Sequence, residues 1–281
     1  MIFNPNTISD SVKTVVEASK KQDTSWILHH VLDARELDFT PFGVIHLPQI
    51  HLYGMDISIT KHIVFMWVAI AILITTFIFV ARSYKKSLIP HGVSNLTEVL
   101  ILFVRDEIAR PTIGKGYERF LPYLLTVFFF ILTCNFLGLQ PYGSTATSNI
   151  SVTATLAVIS FLFIQIGGMM KNGVFGYFKG LIPHGIPFWL LPIMLVVEIL
   201  GLFTKPFALA IRLFANMTAG HIVILALIGL IFILHTYVVV PVSISFALFI
   251  FLLEILVALL QAYIFTMLSS LFIGMAVHQE H

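Results

Sequence analysis

Long apolar runs dominate the chain after residue 60. Three of them have about 20 residues each and run from His62 to Ala81, from Leu121 to Leu139 and from Ile150 to Met170. A run of this length suits one helical crossing, because a hydrocarbon core about 30 Å thick is spanned by about 20 residues at 1.5 Å each. The pattern therefore predicts three transmembrane helices in the first two thirds of the sequence.

Two further runs, residues 187–234 and 242–277, are longer than one upright crossing requires. As continuous helices they would extend about 70 Å and about 54 Å. The first either breaks near residues 203–206 (Phe-Thr-Lys-Pro) into two spans, or forms one steeply tilted helix kinked at the proline. Because a short polar turn with a proline separates the two runs, they favour a steeply tilted antiparallel hairpin.

The favoured fold class is thus an all-α integral membrane protein with about five transmembrane crossings, and residues 61–281 form its membrane domain. The six-span alternative would place the C-terminus on the other side of the membrane. Residues 94–109 carry apolar side chains on one face of a helix and charges elsewhere, which predicts an interfacial amphipathic helix. The apolar positions of that face are Leu96, Val99, Leu100, Phe103 and Val104.

Residues 1–60 are mixed and polar, and they predict an N-terminal extramembrane region. An amphipathic helix is expected near residues 8–21. Prolines and alternating apolar residues between 38 and 56 indicate extended structure instead. This region therefore differs in kind from the membrane domain.

Composition and charge agree with a membrane protein. Hydrophobic residues make up 58% of the chain and charged residues 11%, whereas soluble domains average about 25% charged. The formal net charge is only +2 and the basic residues are scattered, so nucleic acid is not an expected partner. Cys134 is the only cysteine, which excludes an internal disulfide and a thiolate metal cluster within this chain.

The basic residues also predict an orientation. Arg82, Lys85 and Lys86 follow the first span, Lys171 and Lys179 follow the third, and residues 140–149 contain neither lysine nor arginine. Cytoplasmic loops carry an excess of such residues. With five crossings, the N-terminus is therefore expected outside and the C-terminus in the cytoplasm.

Polar residues inside the two long runs follow a helical spacing. Glu198, Lys205 and Arg212 are seven residues apart, so they form one stripe, and Asn216 lies close to it. His221 points to roughly the opposite side. A permanently charged guanidinium at this depth needs a physical reason, because it costs several kcal/mol even on the milder insertion scales.

The final run repeats this spacing with Glu254 and Gln261. If the hairpin turns near residue 238, Arg212 and Gln261 lie at the same level along the hairpin axis, and so do His221 and Glu254. Two polar pairs in register favour a transport path. A carboxyl in such apolar surroundings should be neutral unless it is paired or hydrated.

Structural interpretations of the same residues stay open at this point. Glu198 and Lys205 could form an ion pair, or Lys205 could extend its amine to the membrane surface. Arg212 could belong to a buried ion pair with a glutamate, and His221 could be a hydrogen-bonded core residue. Three further polar residues are interpreted as interfacial or packing residues: His184, His235 and Asn135.

The segment EILGLFTKPFALAIRLFANMTAGH, residues 198–221, resembles the signature of subunit a of the F-type rotary ATP synthase. Further similar segments are NLTEVLILFVRDEIA, CNFLGLQP, TSNISVTATLA, LLQAYIF and the terminal QEH. The resemblance covers about residues 90–281. It implies a multi-pass subunit of the bacterial inner membrane that carries out ion translocation, without catalytic residues, cofactor or metal of its own.

The resemblance also implies partners and roles. The family's subunit packs as a stator against a rotating ring of c subunits, alongside the peripheral-stalk b subunits and the rest of the synthase, and provides two offset half-channels to the ring carboxylates. Arg212 matches the family's essential arginine, Gln261 the glutamine beside it, and Glu198 a carboxylate of the cytoplasmic half-channel. His221 and Glu254 match a coupled polar pair.

Asn216 is expected among the ion-translocation residues with these five, and two further residues are expected as support for the path: Lys205 and Asn149. Asn149 follows Ser148 in the loop where some family members carry an acid. The coupling ion, proton or sodium, is set mainly by the ring, and the absence of a phosphate loop places nucleotide chemistry in other subunits.

Two other function classes compete with this interpretation. A secondary transporter or channel also places ionisable groups at the midplane, but usually within inverted repeats, and this sequence shows no internal repeat. A bis-histidine haem protein needs histidines at matching heights. His221 is predicted opposite Glu254 instead.

Overall fold

The computed structural model describes residues 36–38, 43–48, 51–52, 55–56, 58–86, 91–140, 143, 145–180, 190–234 and 239–278. Its main helices are α1 (Lys61–Lys86), α2 (Val93–Phe103), α3 (Leu121–Gly138), α4 (Ile150–Asn172), α5 (Val174–Gly180), α6 (Leu191–Leu234) and α7 (Val239–Val277). A π-helical stretch, Val104–Ala109, and a last turn, Arg110–Ile113, continue α2. Short 3-10 turns lie at Tyr117–Arg119 and Ala146–Ser148.

Five helices in the described part of the chain are long and apolar enough to cross a membrane: α1, α3, α4, α6 and α7. The chain is therefore a multi-pass membrane protein, as predicted. The spans start and end within a few residues of their predicted limits, except that α1 continues to Lys86. Arg82, Lys85 and Lys86 therefore belong to the last turns of α1 and not to a loop after it.

The long hairpin forms without a break near residues 203–206. Pro206 lies inside α6, a single helix of 44 residues, and α7 has 39 residues. Proline removes one backbone hydrogen bond but does not end this helix. At 1.5 Å per residue the two helices measure about 66 Å and about 58 Å, so neither stands upright in a core of about 30 Å.

The interfacial face predicted for α2 is only partly correct. Leu96 and Val99 are exposed, whereas Val104 is fully buried. The reason is the π-helical stretch, whose wider turn shifts the phase of the helix and directs Ile108 and Ile113 into the core. The second half of this segment is consequently part of the protein interior.

Small residues let the helices of the core approach closely. Ser160 of α4 donates a hydrogen bond to Ser269 of α7 at 2.8 Å, and the hydroxyls of Thr112 and Ser270 lie 2.5 Å apart. Gly274 packs directly on the backbone carbonyl of Thr112. Small side chains and interhelical hydrogen bonds are the usual means of helix association in lipid.

The extended structure predicted between residues 38 and 56 is present. Glu36–Asp38 pairs antiparallel with Val44–His46, and His51–Leu52 pairs with Met55–Asp56. The predicted helix at 8–21 lies outside the described residues, as do His184 and His235. The extramembrane location of residues 1–60 stays a prediction.

A methyl group at position 274 should destabilise the fold. A Cβ there would lie 2.1 Å from the carbonyl oxygen of Thr112, so Gly274→Ala is expected to cost about 1–3 kcal/mol through overpacking. Gly176→Ala is the control, because its Cβ would meet only the Cβ of Asn172 at 3.8 Å. Thermal unfolding of the purified complex checks this, and equal midpoints for the two variants would contradict the packing.

Candidate functional site

A direct hydrogen bond joins His221 of α6 to Glu254 of α7. The Nδ1 atom lies 2.5 Å from Oε1 of the carboxyl group. The Glu254 side chain is only 5% exposed and that of His221 17%. The height match predicted from the sequence is thus confirmed for this pair.

The second nitrogen of His221 determines where the shared proton can lie. Nε2 is 2.9 Å from the carbonyl oxygen of Gly138, which can only accept, so Nε2 carries a hydrogen and donates. If the imidazole is neutral, Nδ1 then lacks a hydrogen and Glu254 must donate to it as a carboxylic acid. If Nδ1 also carries a hydrogen, the pair is an imidazolium and a carboxylate. The geometry therefore holds one proton between the two groups.

A cavity of about 250 Å³ adjoins this pair. Its apolar lining includes Ile224, Ile228 and Phe251, which lie closer to the α6–α7 turn than the pair does, and its polar lining includes Gln140. The cavity therefore extends from His221 and Glu254 toward the end of the hairpin where α6 and α7 are connected.

A buried network fixes the carbonyl that His221 contacts. Asn135 of α3 donates a hydrogen bond from Nδ2 to the carbonyl of Ala258 at 3.1 Å. The Thr147 hydroxyl donates to Oδ1 of Asn135 at 2.7 Å. Both side chains are fully buried. The packing role predicted for Asn135 is confirmed, and this residue ties the end of α3 to α7 three residues before Gly138.

The loop after α3 contributes residues that the sequence did not single out. Thr145 Oγ1 lies 3.4 Å from Nε2 of His221. Gly138 has no side chain where Thr145 packs, since a Cβ there would lie 1.6 Å from the threonine oxygen. The CNFLGLQP and TSNISVTATLA segments flank this loop, and they are the only sequence signal that could have indicated it.

Arg212 lies on α6 nine residues before His221, about 14 Å along the helix axis. It is half-buried. Across the residues that the structure describes, its guanidinium makes no hydrogen bond and no ion pair, so a structural ion pair with a glutamate is not formed there. Small exposed residues, Ala208, Ala215 and Ala219, share its face of α6, whereas the large exposed side chains of Phe203, Phe207 and Ile211 lie on other sides of the helix.

Gln261 contacts Asn216 rather than Arg212. The Asn216 Nδ2 atom donates to Oε1 of Gln261 at 2.9 Å. The prediction that Arg212 lies opposite Gln261 is therefore wrong by about one helical turn. Between the two observed contacts, α6 advances by five residues and α7 by seven. The assumption that facing residues are equally many positions from the turn therefore fails farther along the hairpin.

Glu198 and Lys205 do not form an ion pair. They line a second cavity of about 180 Å³ together with Tyr177 and Leu202. The amine of Lys205 lies 5.3 Å from the ring centre of Phe272, a cation–π distance. Burial, and to a lesser extent the charge of Glu198, raises the pKa of Tyr177 on the short helix α5.

Asn149 serves the backbone of α4. Its Oδ1 accepts a hydrogen bond from the amide of Ser151 at 2.9 Å, which caps the helix. It does not line the cavity beside His221 and Glu254. The neighbouring Ser148 Oγ is 3.1 Å from Nε2 of His62. The support role implied for Asn149 stays a prediction.

Haem ligation by His221 does not fit this geometry, because both ring nitrogens are engaged by Glu254 and Gly138. In the described ranges no group of three His, Cys, Asp or Glu side chains is arranged to hold a metal ion. The site is thus a hydrogen-bonded proton-holding pair and a lone guanidinium along one hairpin.

The sequence profile of the family described as ATP synthase A chain matches residues 63–274. A protein named ATP synthase subunit a from Chloroherpeton thalassium is 57% identical over 259 residues, covering 90% of this chain and 77% of the relative. ATP synthase subunit a 2 from Prosthecochloris aestuarii is 55% identical, with 91% and 80% covered. ATP synthase subunit a from Myxococcus xanthus is 53% identical, with 81% and 75% covered.

The matched region contains the five candidate spans except the first two residues of α1 and the last three of α7. It includes His221, Glu254, Arg212 and all of the second cavity's lining except Met275 and Ala276. The identities extend over most of both chains. On these grounds the chain belongs to the ATP synthase A chain family.

Proposed function

We propose that this chain is the ion-translocating stator subunit of a rotary ATP synthase, a non-catalytic subunit that couples proton flow to rotation of a c-ring. The observation that carries the proposal is a guanidinium without a partner among the described residues, set between two separate cavities on one hairpin. The cavity at His221 and Glu254 lies toward the α6–α7 turn. The cavity at Glu198 and Lys205 lies toward the beginning of α6.

Arg212 lines neither cavity. It lies about 21 Å along the helix from Glu198 and about 14 Å from His221. The two cavities share no lining residue and lie on opposite sides of Arg212 along α6, an arrangement that suits two offset half-channels. A fixed cation between them opposes direct passage of another cation.

The partner expected to pair with the Arg212 guanidinium is an acidic side chain of the c-ring. A ring carboxylate that enters hydrocarbon must be neutral and so carries its proton, whereas opposite a guanidinium the ionised form is favoured and the proton leaves. The small exposed residues on the same face of α6, Ala208, Ala215 and Ala219, would let a ring helix approach the guanidinium closely. The peripheral-stalk b subunits and the rest of the synthase complete the assembly.

The hydrogen-bonded pair supplies the access path for the proton. A proton that arrives through the cavity near the turn protonates the pair, and the same carboxyl or imidazole then releases a proton inward. Asn216 and Gln261 lie between the pair and Arg212 and offer polar groups on that path. Glu198 serves the opposite cavity, with Lys205 held beside it.

The expected location is the bacterial inner membrane, with the N-terminus outside and the C-terminus in the cytoplasm. The cavity of His221 and Glu254 then opens outside, since the α6–α7 turn lies on that side. Glu198 faces the cytoplasm. The basic residues Arg82, Lys85 and Lys171 all fall on the cytoplasmic side in this orientation, in accord with the positive-inside rule.

Removing the guanidinium should abolish coupling. Arg212→Ala is expected to reduce ATP-driven proton pumping in inverted membrane vesicles to background, because no fixed charge then favours release from the ring. Arg212→Lys should also fail, since an ammonium lacks the planar delocalised charge. Arg82→Ala, at the exposed end of α1, is the control and should pump normally; wild-type pumping by Arg212→Ala would contradict the proposal.

The pair should act as a unit. Glu254→Gln and His221→Ala are each expected to lower the pumping rate by about tenfold or more, as for loss of a positioned proton-transfer group, with normal assembly. The double exchange His221→Glu with Glu254→His should recover part of the rate, because the same hydrogen bond can re-form in reverse. Non-additive effects mark such contact, and a double exchange no better than the two single losses combined would assign the pair a structural role.

The orientation can be tested on described, exposed positions. In a Cys134→Ser background, Gln140→Cys is expected to react with a membrane-impermeant thiol reagent on intact cells, and Lys171→Cys only after permeabilisation. Both positions are exposed in the structure. Labelling of position 171 from outside, with position 140 protected, would reverse the assignment.

A further inference from the structure

A third cavity lies apart from the hairpin path, where α3 begins and where α4 and α7 end. Its volume is about 440 Å³, and it is the largest of the three cavities described. Three cations line it: Lys115, Arg119 and Lys171. They come from the loop before α3 and from the last turn of α4, so the chain brings together charges more than fifty positions apart.

In the part of the chain that the structure describes, these three cationic side chains form no ion pair and no hydrogen bond, although Glu118 is adjacent to Arg119 in sequence. The basic residues of the preceding segment behave differently. Arg105 and Arg110 lie 2.8 Å and 4.0 Å from the carboxylate of Asp106.

The walls of this cavity are apolar. Phe120, Phe163, Ile166 and Met170 line it below the cations. Ile166 and Met170 are 51% and 63% exposed on α4, a membrane-crossing helix, so this wall faces lipid. Gly167 has no side chain, so the ring of Phe120 packs closely against α4 at this position. A Cβ at residue 167 would lie only 3.0 Å from that ring.

The combination selects one class of ligand. Three uncompensated cations at the end of the spans attract an anionic phosphate group, and a lipid-facing apolar groove directly beside them accepts a hydrocarbon chain. Basic pockets between transmembrane helices at this level bind anionic lipid headgroups. A free phosphate ion would gain nothing from the apolar wall, whereas a phospholipid uses both parts.

We propose that this cavity binds an anionic phospholipid, with its phosphate between Arg119 and Lys171 and one acyl chain along Ile166 and Met170. Arg119 offers a planar fork of donors to phosphate oxygens, and the two lysines add point charges. The bound lipid would bridge the beginning of α3 to the end of α4. The site is independent of the proposed ion path, since none of its lining residues belongs to either of the other two cavities.

A photocrosslinking experiment on the assembled complex tests the site. p-Benzoylphenylalanine replaces Met170 in the complex, which is reconstituted in nanodiscs of phosphatidylcholine with a minority of phosphatidylglycerol. Adducts are identified by mass spectrometry. Phosphatidylglycerol adducts are expected to exceed their share of the lipid by about tenfold or more, since each cation near a membrane surface contributes a factor of about five.

Matched double variants distinguish a specific lipid-binding site from nonspecific attraction of anionic lipid by surface charge. Arg119→Gln with Lys171→Gln should reduce the enrichment to near the bulk share, whereas Arg82→Gln with Lys85→Gln, which removes two exposed charges at the end of α1, should leave it unchanged. The proposal would be overturned if both double variants lost the phosphatidylglycerol enrichment equally, or if the native chain showed no such enrichment. ATP-driven pumping measured in parallel shows that each double variant is assembled.

Two further outcomes identify other occupants, and either would overturn the proposal. Adducts at position 170 that join it to another protein subunit would show that a polypeptide covers the groove. Loss of the phosphatidylglycerol adduct on addition of inorganic phosphate at an ionic strength matched with chloride would show a site for free anions. Retention of the adduct under that condition, together with its loss in the double variant, supports the lipid.

Discussion

The hydrocarbon thickness of a bilayer governs this structure, because α6 and α7 are each about twice as long as an upright crossing needs. Such helices must lie obliquely. An oblique helix presents residues many turns apart at only slightly different depths, and α6 accordingly lines two separate cavities, one at Glu198 and one at His221. The shorter helices α3 and α4 support the slope through glycine and serine contacts, which permit close packing without hydrophobic driving force between helices.

The polar groups of the hairpin are satisfied in two different ways. His221 uses partners within the chain for both ring nitrogens, the carboxyl group of Glu254 and the carbonyl of Gly138. Arg212 is half-buried and finds none there. A buried charge without a counter-charge is strongly unfavourable, so this surface of α6 is stable only when water or another subunit meets the guanidinium.

The sequence was sufficient for the elements that depend on local pattern and for one tertiary contact. Apolar run length predicted the five spans, and the His221–Glu254 contact followed because it lies only a few turns from the connection between α6 and α7. Gln261 is farther from that connection, where unequal advance of the two helices moved it opposite Asn216. The buried face of α2 was missed because a π-helical turn changes the period on which such predictions rest. The contacts of Asn135 and Gly138 join residues more than eighty positions apart, and no periodicity encodes them.

Gly220 has a consequence for how this family can vary. A Cβ at that position would lie 2.7 Å from Oε1 of Glu254, so the carboxyl group occupies the space that any larger residue on α6 would need. Substitution at 220 therefore requires the Glu254 side chain to move or the helices to separate, and either change would displace the carboxyl group from His221. Across related sequences, a residue larger than glycine at this position should be accompanied by a shorter one at 254, so that the two positions covary although neither forms a bond with the other.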